Sequence, residues 1–156
     1  MTITPQFIAI LGAVLGEILA MFGSSVGVLK TGEAGSATLA EDPKQFRNVI
    51  TLAAMPLTQT FYMMIVLVTV LALVLPKLPE TGTTGWWVFG ICMMTGLAEL
   101  HSAYFQARVC VSAIAMLPKS KGFLFTPGIL MAAYCELEGI VGMVFAIMAF
   151  ALLRLM

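Results

Sequence analysis

The stretch PLTQTFY, Pro56 to Tyr62, lies inside an apolar run that extends from about residue 49 to residue 75. A proline, two threonines, a glutamine and a tyrosine fall within one short segment of a helix long enough to cross a bilayer. Thr58 and Tyr62 are four residues apart and Gln59 and Tyr62 three apart, so all three share a helix face. Pro56 has no backbone N–H, so the Leu52 carbonyl loses its usual partner and the helix loosens locally. Polar oxygens at mid-helix need something to bind. The expectation here is a cation held against a carboxylate on another helix.

The rest of the chain fits a membrane setting. Of its 156 residues, 60% are hydrophobic and only 10% charged, against about 25% charged in soluble domains; the mean hydropathy is +1.01. This composition predicts an all-α integral membrane protein surrounded by lipid. The formal net charge is zero, which gives no basic surface for nucleic acid. Cys92, Cys110 and Cys135 lie in apolar segments without CxxC spacing, so they are expected to be packed, reduced thiols. The N-terminus shows no basic n-region and no small-residue cleavage site, and the first apolar run is expected to stay in the mature protein.

Four apolar runs, near 6–29, 49–75, 86–117 and 127–153, each exceed the roughly 20 residues needed to span. The breaks are KTGEAGSATLAEDPKQFRN, PKLPETGTTG and PKSKGFLFTP, and Pro127 is placed to start the last helix. This order predicts two tandem helical hairpins, 1–78 and 79–156. Lys30, Lys44, Arg47, Lys119 and Lys121 flank the first and third breaks, while Lys77 and Arg154 lie on the other side. The positive-inside rule then puts those two breaks in the cytoplasm and both termini outside. A faint repeat, AAMPLTQ (53–59) against AAYCELE (132–138), fits a duplicated hairpin. Gly12, Gly16, Ala20, Gly23 and Gly27 form a small-residue stripe, suited to close packing within one protomer or to an inner ring built from many copies.

Ionisable side chains at mid-bilayer cost about 2.5–3.5 kcal/mol, so they are functional candidates. Here they are Glu17, Glu99, His101, Glu136 and Glu138. Counted from Pro127, Glu136 is about 14 Å into its helix, near the membrane middle, and Glu138 points about 200° away from it. Oxygens from Thr58, Gln59, a backbone carbonyl, Glu136 and Gln106 would make an all-oxygen set suited to Na⁺, with H⁺ as the simpler cargo. Glu99 and Glu138 are possible additional members. Glu99 lies seven residues before Gln106, on nearly the same face; a lumenal position or a satisfied packing contact is expected for it, and likewise for Glu17. Glu33 is expected to be solvated or capping.

The segments GSSVGVLKTGEAGSATLAEDPKQF, PLTQTFY, FQARVCVSAIAMLPK and AAYCELEGIVG resemble the duplicated proteolipid (the K or c type) of V-type and A/V-type rotary ATPases, in its sodium-transporting bacterial branch. The resemblance implies a ring of four-helix protomers in a bacterial plasma membrane. It implies Glu136 as ion-carrying carboxylate, with Thr58, Gln59 and Gln106 giving side-chain oxygens. Met55 would give its backbone carbonyl and Tyr62 would lock the carboxylate. It also implies a stator subunit with half-channels, a central-stalk subunit at the cytoplasmic loops, and ion transport driven by, or driving, ATP chemistry elsewhere. No GxxxxGK[ST] occurs in this chain, so it is read as a non-catalytic subunit with no organic cofactor. Two other classes remain open: a four-helix membrane enzyme of the glutathione-transferase type, using Arg47 and Arg108, and a homo-oligomeric channel.

Overall fold

A computed structural model describes residues 4–156. Its long helices are α1 (Pro5–Glu41), α2 (Phe46–Ala54), α3 (Thr58–Thr69), α4 (Thr84–Met116) and α5 (Phe125–Leu152). Between α2 and α3 lies a single 3₁₀ turn, Met55–Leu57, and α3 runs on through a π turn at Val70–Val74 and a 3₁₀ turn at Leu75–Lys77. Pro43–Lys77 is therefore one interrupted rod of 35 residues. Residues 1–3 of the first expected hairpin lie outside the described residues.

The first polar break is not a loop. α1 continues through KTGEAGSATLAE and stops only at Asp42, because a residue before proline is pushed out of the helical region. Asp42 has φ −138° and ψ 91°, and its carboxylate accepts from the Lys44 N–H at 3.1 Å and from Gln45 Nε2 at 3.0 Å. At the other end Thr4 Oγ1 caps the helix by accepting from the Phe7 N–H at 3.3 Å, with Pro5 in the first turn. Glu33, expected near a loop, sits exposed on the helix itself.

Helix-on-helix approach follows the small residues. A Cβ added to Gly12 would meet Phe89 Cα, one on Gly16 would meet the Cys92 carbonyl, and one on Gly23 would meet Leu100 Cα. The numbers rise together, so α1 and α4 run parallel. Gly96 is the reciprocal case: its Cβ would lie 2.5 Å from Gly16 Cα. The glycine stripe therefore packs inside one chain, mainly against α4. α5 lies antiparallel on α4, with Gly128 against Ala113, Gly139 against Glu99 and Ser102, and Gly142 against Ala98. The Pro43–Lys77 rod lies antiparallel on α1, through Gly35 against Val49 and Gly16 against Met63.

Three rods, Pro5–Glu41, Pro43–Lys77 and Phe125–Leu152, are long and apolar enough to cross a membrane. The sequence pattern predicts four. α4 has the length, but Glu99, Ser102 and Gln106 lower its hydropathy, and all three are buried inside the bundle. These three polar groups of α4 thus face protein, as lipid requires, while His101 and Arg108 of the same helix are exposed.

The two ends of the bundle differ. Gly122, at φ +84°, brings the α4–α5 turn against the first hairpin turn; a Cβ there would sit 3.2 Å from Gln45 Oε1. The basic residues Lys44, Lys119 and Lys121 belong to these two adjoining turns, and Arg47 to the first turn of α2. At the opposite end Gln6 Nε2 donates to the carbonyls of Leu78 and Pro79, each at 3.2 Å.

Overpacking tests the α1–α4 contact. Gly96→Val places methyl groups against the Gly16 backbone and should destabilise the folded protein by about 1–3 kcal/mol. Gly90→Ala, on the same helix with open space around it, should be neutral or slightly stabilising. Thermal unfolding in detergent compares the two.

Candidate functional site

Two apolar clusters hold the bundle. One joins Ala13, Met63, Val66, Val88, Cys92, Ala146 and Phe150; the other joins Val49, Leu52, Cys110, Ile114, Leu117 and Ala132. On α4 the gap between them spans Thr95 to Gln106, on α5 Ala133 to Phe145, and on the interrupted rod the stretch around Pro56 to Tyr62. The polar interior residues fall in that gap.

Gln59 and Gln106 are both 0% exposed. Gln59 Nε2 donates to Ser102 Oγ and to Gln106 Oε1, each at 3.0 Å. Ser102 Oγ donates to the Cys135 carbonyl at 2.9 Å. Gln106 Nε2 donates to the Ala132 carbonyl at 3.2 Å and to Glu136 Oε2 at 3.3 Å. Tyr62 Oη donates to Glu136 Oε1 at 2.7 Å. Both carboxyl oxygens of half-buried Glu136 are thus held by donors from α3 and α4, the pattern that suits an anionic acceptor. The one amide oxygen left over, Gln59 Oε1, is buried and has no partner.

The interruption at Pro56 supplies the remaining oxygens. Met55 O accepts the Thr58 backbone N–H and, at 3.1 Å, the Thr58 hydroxyl. The neighbouring Ala53 carbonyl accepts from Thr31 Oγ1 of α1 at 2.9 Å. The kink is therefore pinned to α1 at a carbonyl one residue beyond Leu52, the one singled out from the sequence. Thr58 and Met55 stand beside the network around Glu136, linked to each other and not to the carboxylate. Glu138 is exposed on the far side of α5, as its angular spacing predicts.

One sequence expectation is corrected. Glu99 neither lines a lumen nor makes a satisfied packing contact: it is 0% exposed, and neither carboxyl oxygen has a partner. The reason is the pairing of α4 with α5, which covers the Glu99 face. Glu17 is half-buried, and its Oε2 is unpartnered. His101 is exposed beside Phe105. Cys92, Cys110 and Cys135 are free thiols. Ser102 and Thr31 were not singled out from the sequence. Glu99, Ser102 and Gln106 at steps of three and four carried the signal for Ser102. Nothing in the sequence pattern tied Thr31 to the kink.

Among the described residues no group of three His, Cys, Asp or Glu is placed to hold a metal. The donors are amide, hydroxyl, carboxyl and backbone oxygens, a set that fits a hard monovalent cation better than a transition metal. Removing the Tyr62 hydroxyl (Tyr62→Phe) leaves Glu136 with one donor. Were a cation held at Glu136, this loss of one charge-assisted hydrogen bond would weaken its retention about tenfold, measured by ion protection of Glu136 against a hydrophobic carbodiimide.

Residues 11–70 and 89–149 each match the family model for the C subunit of ATP synthase, so the match repeats once in each half. The chain is 27% identical over 146 residues to the A-type ATP synthase subunit K of Methanocaldococcus jannaschii, covering 94% of this chain and 63% of that protein. It is 28% identical over 136 residues to the V-type sodium ATPase subunit K of Enterococcus hirae, covering 87% of this chain and 85% of that protein. The chain thus spans less than two thirds of the Methanocaldococcus relative. A helical, membrane-spanning chain with the same family match in both halves leaves one conclusion: it belongs to the ATP synthase C-subunit family, as a duplicated proteolipid, a non-catalytic type of ATPase subunit.

Proposed function

We propose that this chain is the ion-carrying subunit of a rotor ring in a V/A-type ATPase, with Glu136 as carrier and Na⁺ as cargo, H⁺ being the second candidate. The observation that carries the reading is the Glu136 carboxylate, held at mid-helix by Tyr62 and Gln106, with the unpartnered Gln59 Oε1 in the same layer. A half-turn of the Gln106 amide would exchange its donor for an oxygen, with the Gln59 amide turning alongside it to keep their mutual hydrogen bond. Glu136, Gln106, Thr58 Oγ1 and the Met55 carbonyl would then offer oxygens from three helices to one cation, beside Gln59. The V-type relative is named for sodium, which supports Na⁺ over H⁺.

Charge cancellation is the working principle. A bare carboxylate facing lipid is costly; a cation bound to it, or a proton on it, removes most of that cost. Copies of the chain would stand side by side, the exposed apolar faces carrying Phe61, Ile65, Val141 and Phe145 meeting lipid or the next copy. The cation would enter and leave through half-channels in a separate stator subunit. A central-stalk subunit would bind at the adjoining basic turns, which the positive-inside rule places in a bacterial cytoplasm with both termini outside. One carrier for four helices means few ions per turn, each moved against about 2.3 kcal/mol per 100 mV. Family membership takes precedence over the enzyme and channel alternatives.

Carbodiimide labelling of the purified protein at several pH values, with and without NaCl, tests this. Glu136 should be modified, and Na⁺ should protect it most strongly where proton competition is weakest, at high pH. Modification without sodium protection at any pH would assign H⁺ instead. Glu136→Gln should abolish this labelling and ion transport, and transport surviving the substitution would refute the carrier.

A further inference from the structure

Glu99 is not explained by the site at Glu136. Its carboxyl group is fully buried where α4 meets α5, with both oxygens unpartnered. The space it occupies exists only because residue 139 is glycine: a Cβ there would collide with Glu99 Oε2 and lie 3.2 Å from Ser102 Oγ. Ser102 offers no help, since its hydroxyl hydrogen goes to the Cys135 carbonyl. The ionisable groups near enough to act on Glu99 electrostatically are Glu136 and Glu138 on α5 and Glu17 on α1, all acidic, with Tyr62 on α3. No lysine or arginine is buried among the described residues. Gln59 Oε1, also buried and unpartnered, adds a third acceptor without a donor in the same polar layer.

A buried carboxyl with neither donor nor counter-charge is not left bare in a dry interior. We propose that Glu99 forms a second, inner cation-binding site in each protomer, taking one monovalent cation, Na⁺ or H⁺, between α4 and α5. Glu99 of α4 rests against Gly139 of α5, three residues from Glu136, so the inner and outer carboxyls lie at depths within about one helical turn of each other. Each protomer then binds two cations in one layer, the outer one reachable from the protomer surface and the inner one enclosed. The inner site deepens the ring-subunit reading, yet its own binding does not depend on Glu136.

The test uses the full-length Glu136→Gln protein, in which the outer carboxylate is gone, and its Glu99→Gln double variant. Radioactive sodium binding and the infrared band of protonated carboxyl groups are measured on both. Sodium bound by the single variant and lost in the double variant would assign Na⁺ to Glu99. Absent sodium binding, with a carboxyl band that disappears in the double variant, would assign H⁺. If neither signal depends on Glu99, the inner site is refuted, whatever labelling of Glu136 shows in the unsubstituted protein. Should the double variant fail to assemble, Glu136→Gln combined with Glu99→Asp keeps the carboxyl and withdraws it by one methylene. The signal should then shift or weaken, and an unchanged signal would equally refute the site.

Discussion

The whole bundle is organised around a polar layer that lipid cannot satisfy. Donors and acceptors at the depth of Glu136 find partners only on other helices. That requirement sets Gln59 of α3, Ser102 and Gln106 of α4 and Glu136 of α5 side by side. Apolar clusters above and below seal the layer. The glycines on α1 and α5 let the backbones come close enough for short side chains to reach across. Take away that approach and the amide–carboxyl relay has no span.

The proline at position 56 contributes by what it removes. The missing N–H falls in a single turn of 3₁₀ geometry, and α1 takes hold of the adjoining Ala53 carbonyl through Thr31. A break of this kind loosens the regular ladder and leaves backbone oxygens freer to meet other partners.

Much of this was legible in the sequence. Hydropathy and length gave the helical membrane class, and spacing set Thr58, Gln59 and Tyr62 on one face, of which Gln59 is buried and the other two half-buried. Helix ends were less legible: the charged segment after Leu29 looks like a loop by composition, yet it is rich in helix-compatible residues and meets no breaker until Asp42–Pro43. The environment of Glu99 was not legible at all. Which face of α4 is covered depends on how α5 lies across it, a tertiary fact that a single helix's periodicity does not contain. Part of the lower hydropathy of α4 has the same origin, since Glu99, Ser102 and Gln106 lie against protein.

The extension of α1 beyond the apolar run has a mechanical meaning. From Lys30 to Glu41 the helix continues for about 18 Å, braced by Gly35 against Val49 and by Thr38 Oγ1 on the Ile114 carbonyl at 3.1 Å. A flexible strap in that place would absorb an applied twist as bending. A braced rod is stiff, so force exerted at its tip would reach the buried layer with little elastic loss.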